Sequence, residues 1–237
     1  VGQCIGANAL AAVGSAYTLM VFLISILLGL SMGSGTVFSL QYGAGDLSAL
    51  RRSIYVSLLL IGTVTILLNV AVFLWLDPIL RWLQVPYDIY PLMRNYLWII
   101  FWGIVFTFLY NFYAALLRAV GDSVTPLWFL AVSVVLNIGL DLFLILVLDQ
   151  GIEGAAVATV IAQGTAASGI LLYTYKIRPE LRLHREDMRF DRSSLREITS
   201  FSTLTCVQQS VMNFGILMVQ GLVNSFGTVV MAAFAAA

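Results

Sequence analysis

LLRAVGDSVTPLWFLAVSVVLNIGLDLFLILVLDQGIEGAAVAT, residues 116–159, is the stretch from which the fold can be read. A polar turn holding Arg118, Asp122 and Pro126 opens an apolar run from Pro126 to Leu148, long enough to cross a bilayer as a helix. Within it Asn137 and Asp141 are four residues apart and share one helical face, which Ser133 extends by a turn. A carboxylate inside a span costs about 2.5–3.5 kcal/mol on insertion scales, so this face is expected to point at protein or water.

Working outward, hydropathy gives six spans: A Tyr17–Gln41, B Ile54–Leu76, C Asn95–Leu117, D Pro126–Leu148, E Gly154–Tyr175 and F Ile198–Val223. Composition agrees: 60% of residues are hydrophobic, 10% are charged, and the mean hydropathy is +0.96. That excludes a soluble domain and points to an all-α, polytopic membrane bundle. A net charge of zero gives no reason to expect nucleic acid. His184 lies in a charged linker, and Cys4 and Cys206 match no metal or redox spacing, so no metal or cofactor is expected.

Several local features carry expectations. Gly29 and Gly33 of span A form a small-xxx-small pair that admits a close neighbour. The preceding VGQCIGANALAAVGSA suits a tight turn and a helix start. In span B, Asn69 is the strongly polar interior residue; Asp77-Pro78 reads as the start of a short interfacial helix. Span C has a stripe of Gly103, Thr107, Asn111 and Ala115 with Tyr110 and Tyr113 beside it. Span E has Gly154, Ala158, Ala162 and Ala166, with Thr159 and Gln163 adjacent; both small-residue stripes are assigned to helix packing. Span F carries Ser202, Gln209, Asn213 and Gln220, opened by a capping box of Ser194 and Glu197.

Orientation follows from basic residues. The A–B, C–D and E–F connections hold ten and the B–C loop two, which places the first set in the cytoplasm and Asp141 in the outer half of span D. The seven basic residues from Lys176 to Arg196 read as a solvated linker between two halves of a bundle. IGANALAAVGSA (residues 5–16) aligns with FGTVVMAAFAAA (residues 226–237), pairing Gly6 with Gly227. The chain does not begin with Met and ends inside an apolar run, so it is expected to be a fragment of a longer, duplicated transporter.

The order ALAAVG, GLSMGSGTVFSLQYGAGD, LLRAVGDSVTP, NIGLDLFLI and GIEGAAVAT resembles the MATE (multidrug and toxic compound extrusion) family across essentially all 237 residues. The resemblance implies twelve helices in two six-helix lobes and cation-coupled antiport of organic, often cationic, compounds. It makes spans A to E helices two to six (residues 1–175, first helix missing), 176–196 a cytoplasmic linker, and 197–237 the first helix of the second lobe. It further implies a multi-pass protein of the cell membrane, of the bacterial inner-membrane kind, monomeric when full length. Some members carry a membrane acid in the seventh helix; span F has Gln208, Gln209 and Asn213 instead.

Three function classes compete. A secondary antiporter exporting organic compounds in exchange for H⁺ or Na⁺ fits the polar stripes and the buried acid. A lipid-linked saccharide flippase of the same superfamily is the alternative; it needs cavity cations for phosphates, and none of the twelve Lys and Arg lies deep in a span. An enzyme is not expected, because the spans hold no nucleophile–base or metal constellation. The expected cation and substrate site combines Asp141, Asn137, Asn111 and Tyr110, with Gln209 and Asn213 from span F.

Overall fold

The structure, a computed structural model, describes residues 6–236. Eight α-helices follow in order: α1 Ala7–Gly43, α2 Leu47–Trp82, α3 Tyr90–Trp102, α4 Ile104–Ala119, α5 Val124–Leu142, α6 Gly151–Ile177, α7 Arg192–Ser225 and α8 Thr228–Ala236. Five of these (α1, α2, α5, α6 and α7) are long and apolar enough to cross a membrane, α5 counted with the turn that follows it. The pair α3 and α4, bent by 47° at the break between them, is long and apolar enough only when its two helices are taken together. No strand occurs among the described residues.

α1 is the axis of the bundle; α7, α4, α8, α2 and α3 all pack on it. Its 37 residues run unbroken from Gly6, so residues 7–16 form no separate turn but the first turns of span A. Gly6 and Gly227 both have φ in the left-handed region, 107° and 91°, and each immediately precedes a helix. Any side chain is strained there, so the two copies of the repeat share a backbone requirement as well as letters. Cys4 and the start of the repeat lie outside the described residues.

Gly29 and Gly33 do admit a neighbour. A Cβ on Gly33 would lie 2.3 Å from the Ser202 Cα, and one on Gly29 2.4 Å from the Cys206 Cα, so α1 and α7 touch backbone to backbone.

α2 starts at Asp46, whose carboxylate accepts from the Ala49 amide at 2.9 Å. It is interrupted at Trp75 (φ −112°, ψ 15°), because the Pro78 ring crowds the Leu74 carbonyl and has no N–H to give it. Residues 76–82 therefore continue as a kinked end. Asp77 caps nothing: it accepts the Tyr90 hydroxyl at 2.8 Å and pairs with Arg94 at 2.9 Å. The α7 start also differs from expectation. Asp191, three residues before Ser194, is the cap, and it accepts from the Ser193 and Ser194 amides at 3.1 and 3.3 Å and from both hydroxyls. These bonds, those of the two hydroxyls first, hold the carboxyl far below its usual range.

The polar turn before α5 is tied down by Asp122. It accepts from the Thr125 amide (3.0 Å) and hydroxyl (2.8 Å) and faces Arg178 at 3.6 Å, which joins the turn to the end of α6.

Candidate functional site

α5 buries one face. Ser133 Oγ donates to the Ala162 carbonyl at 2.9 Å, and one turn on Asn137 Nδ2 donates to Thr159 Oγ1 at 3.4 Å. The opposite side, with Trp128, Val135 and Leu142, is exposed as a lipid-facing surface would be. α6 can approach this face because Ala158, Ala162 and Ala166 are buried, at 0, 2 and 5% exposure. The small-residue stripe of span E thus packs as expected.

Asp141 is the next step along the same face. Its Oδ1 is buried and has no hydrogen-bond partner among the described residues. Two residues later α5 gives way to a single π turn, Phe143–Val147, in which the Leu148 amide reaches the Phe143 carbonyl at 3.2 Å. Such turns widen a helix locally and often accompany functional positions. A buried carboxylate oxygen one helical turn from an amide–hydroxyl pair can hold a proton or a small cation, because these groups supply oxygen ligands or hydrogen bonds.

The other expected members stand elsewhere. The Tyr110 hydroxyl donates to the Pro126 carbonyl at 2.9 Å. That is the opposite end of α5, fifteen residues or about 22 Å from Asp141. Asn111 is spent on its own helix, donating to the Thr107 carbonyl at 2.8 Å. Gln209 and Asn213 lie on α7, which packs against α1, α2 and α8, whereas α5 packs against α6 and α4. Asn213 donates to the Gln209 carbonyl at 2.9 Å, and Gln209 Nε2 faces the Met32 sulfur at 3.8 Å. The structure therefore brings Asp141 and Asn137 together and leaves Tyr110, Asn111, Gln209 and Asn213 apart from them.

Thr159 is the member that sequence reasoning assigned to packing alone. It and Gln163 are successive polar steps on α6, four apart, and that spacing was the available signal. Gln163 serves the bend between α3 and α4. Its Oε1 accepts the Thr107 hydroxyl at 2.7 Å, while Asn69 donates to the Phe101 carbonyl, at 2.7 Å, beside the break. A Cβ on Gly103 would sit 2.9 Å from Val160 and 3.0 Å from the Ile100 carbonyl, so α6 packs tightly against the bend.

Comparison with known proteins agrees with this architecture. The MatE family model matches residues 1–143. The probable multidrug resistance protein YpnP of Bacillus subtilis is 34% identical over 236 residues, covering 100% of this chain and 53% of its own length. The multidrug export protein MepA of Staphylococcus aureus is 27% identical over 93% of this chain and 50% of its own. The chain thus spans about half the length of the curated relatives it matches. Among solved structures, an inward-facing multidrug resistance MATE family transporter of the MOP superfamily overlays with TM-score 0.89. That overlay covers 98% of this chain and 53% of that one at 22% identity. The MATE multidrug transporter DinF-BH in complex with R6G gives 0.90 over 99% and 53% at 25% identity. A family match over all of the first five helices, a relative aligned along the whole of this chain and an overlay of nearly the whole bundle converge: the chain belongs to the MatE family.

Proposed function

We propose that this protein exports organic, often cationic, compounds by antiport against H⁺ or Na⁺, and that Asp141, Asn137 and Thr159 hold the coupling ion. In this reading α1 to α6 belong to one lobe, α7 opens a second, and the whole transporter has twelve helices and acts as a monomer. The observation that carries the site is the buried, unpartnered Asp141 Oδ1 next to the Asn137–Thr159 pair. A proton and a metal cation compete for the same carboxylate oxygens, so loading one expels the other. Export names on its relatives support the direction of transport. The saccharide alternative lacks support: among the described residues Lys and Arg sit at helix ends and in loops.

The test is Asp141→Asn in the whole protein, reconstituted in vesicles under an imposed proton or sodium gradient. Asn keeps shape and hydrogen bonding and removes titration. Uphill export is expected to be lost while substrate binding and expression persist. Export at the normal rate with the same ion dependence refutes the coupling role.

A further inference from the structure

We propose that a buried hydrogen-bond network at the outer end of the α1–α7 seam is a latch between the two lobes, broken and re-formed in each transport cycle. This rests on the transport reading above and on the charge-based orientation, which puts the α2–α3 loop outside.

The network has five groups on three elements. Ser15 Oγ donates to Asn224 Oδ1 at 2.9 Å. Gln220 Nε2 donates to Ser15 Oγ at 2.9 Å and to Asn224 Oδ1 at 2.8 Å. Thr18 Oγ1 donates to Gln220 Oε1 at 3.1 Å. Asn224 Nδ2 donates to the Leu83 carbonyl, just past the end of α2, at 2.9 Å. Ser15, Thr18, Gln220 and Asn224 are 1, 9, 3 and 1% exposed, so the cluster is dry. Leu83 ends α2 and would otherwise leave its carbonyl without a helical donor.

Three contrasts distinguish a latch from permanent glue. First, the seam changes chemistry along its length. Deeper in, Gly29 and Gly33 lie against the Cys206 and Ser202 backbone, and Phe22 meets Phe214 at 5.8 Å between ring centroids. Those contacts gain from packing and have no aqueous substitute, and the polar tie among them is a single hydroxyl, Ser202, which donates to the Leu30 carbonyl at 3.1 Å and meets Ser34 Oγ at 3.4 Å. Second, the outer contact is polar. Its bonds exchange for bonds to water at small net cost when the seam opens, but must all be satisfied when it closes. Third, one flank opens on a polar groove through which water can reach the cluster. Arg81, Gln84, Tyr87, Tyr90 and Ser225 border it, next to Asn224 itself. Closure here seals the outer end of the seam, and rehydration releases it. Gln220 is the positioning residue, since it alone bonds Ser15, Thr18 and Asn224.

Two measurements on the whole protein test this, with Cys4 and Cys206 replaced by Ser. In Ser15→Cys/Asn224→Cys, oxidation is expected to cross-link the pair and reduce export in vesicles at least tenfold, with reduction restoring it. Drug binding should survive, which a merely unfolded protein would not allow. Failure to cross-link, or undiminished export by the cross-linked protein, overturns the latch. Spin labels at Tyr17 and Leu222, both exposed side chains at this end, give the second readout. Gln220→Ala is expected to shift their distance distribution toward the longer, open population. An unchanged distribution overturns the latch whether or not export is detected. Absence of gradient-driven export in the otherwise unaltered protein counts against the transport reading alone.

Discussion

Gly33→Ala should be among the most damaging single-atom additions to this protein. The added Cβ would fall 2.3 Å from the Ser202 Cα, and ordinary van der Waals contact begins at 3.4 Å, so the α7 backbone must retreat by about 1.1 Å. Backbone cannot rotate aside as a side chain can. The same retreat stretches the bond from Ser202 Oγ to the Leu30 carbonyl from 3.1 Å to about 4.2 Å, beyond hydrogen-bond range. Overpacking of this kind costs about 1–3 kcal/mol, and a bond between membrane helices adds roughly 0.6 kcal/mol, up to about 1.7. Replacing glycine by alanine in a helix returns about 1 kcal/mol of this, so the expected net loss is about 1–4 kcal/mol, seen as a lower thermal midpoint in detergent or lipid. Gly139→Ala is the matched control. A Cβ there meets nothing within 4 Å, and replacing a mid-helix glycine by alanine gains about 1 kcal/mol from propensity. The two substitutions should move the midpoint in opposite directions. If Gly33→Ala is neutral or stabilising, the two helices do not cross backbone to backbone at this point and the reasoning fails.

Two further outcomes follow from single bonds. Asn69→Leu removes the donor held by the Phe101 carbonyl at the bend and should lower stability by about 1–2 kcal/mol; Thr63→Ala, which loses only a bond to its own helix, should change the midpoint little. Burial raises the Asp122 carboxyl, but bonds from Thr125 and the Arg178 charge outweigh it and hold the group below its ordinary value of 3.8. A depressed carboxyl contributes stability above the unfolded value and loses it as pH falls through the folded one. Thermal midpoints should therefore include a drop below pH 3.8 that Asp122→Asn abolishes, the variant being less stable than the parent at neutral pH.

The helices were legible because bilayer-length apolar runs leave few alternatives. The Ser133–Asn137–Asp141 face was legible because period and polarity coincide, and the structure turns it toward α6. Ser202, Asn213 and Gln220 were visible as a stripe, and they do lie buried. Their partners were not, since Gln220 bonds Ser15 across 205 positions and no local pattern encodes that pairing. The bend at Gly103 escaped notice because no proline marks it, although Asn69 and Gln163 were polar residues in need of an explanation. The start of α7 was misplaced because two cap signals overlap: Asp191 offers a carboxylate to two amides, and Ser194 becomes a donor to it. Tyr110 and Asn111 were grouped with Asp141 by residue type, whereas antiparallel packing sends them to the other end of α5.

The bond from Asn224 to the Leu83 carbonyl also bears on biogenesis. The carbonyl is made 141 residues before its donor. At roughly 5–20 residues per second, the nascent chain waits on the order of ten seconds between the two. Throughout that interval Ser15, Thr18 and the end of α2 hold polar groups whose final partners have not left the ribosome. The early helices can insert, but their outer ends stay hydrated and loosely gathered until α7 arrives. A helix made more than a hundred residues later therefore completes the first ones.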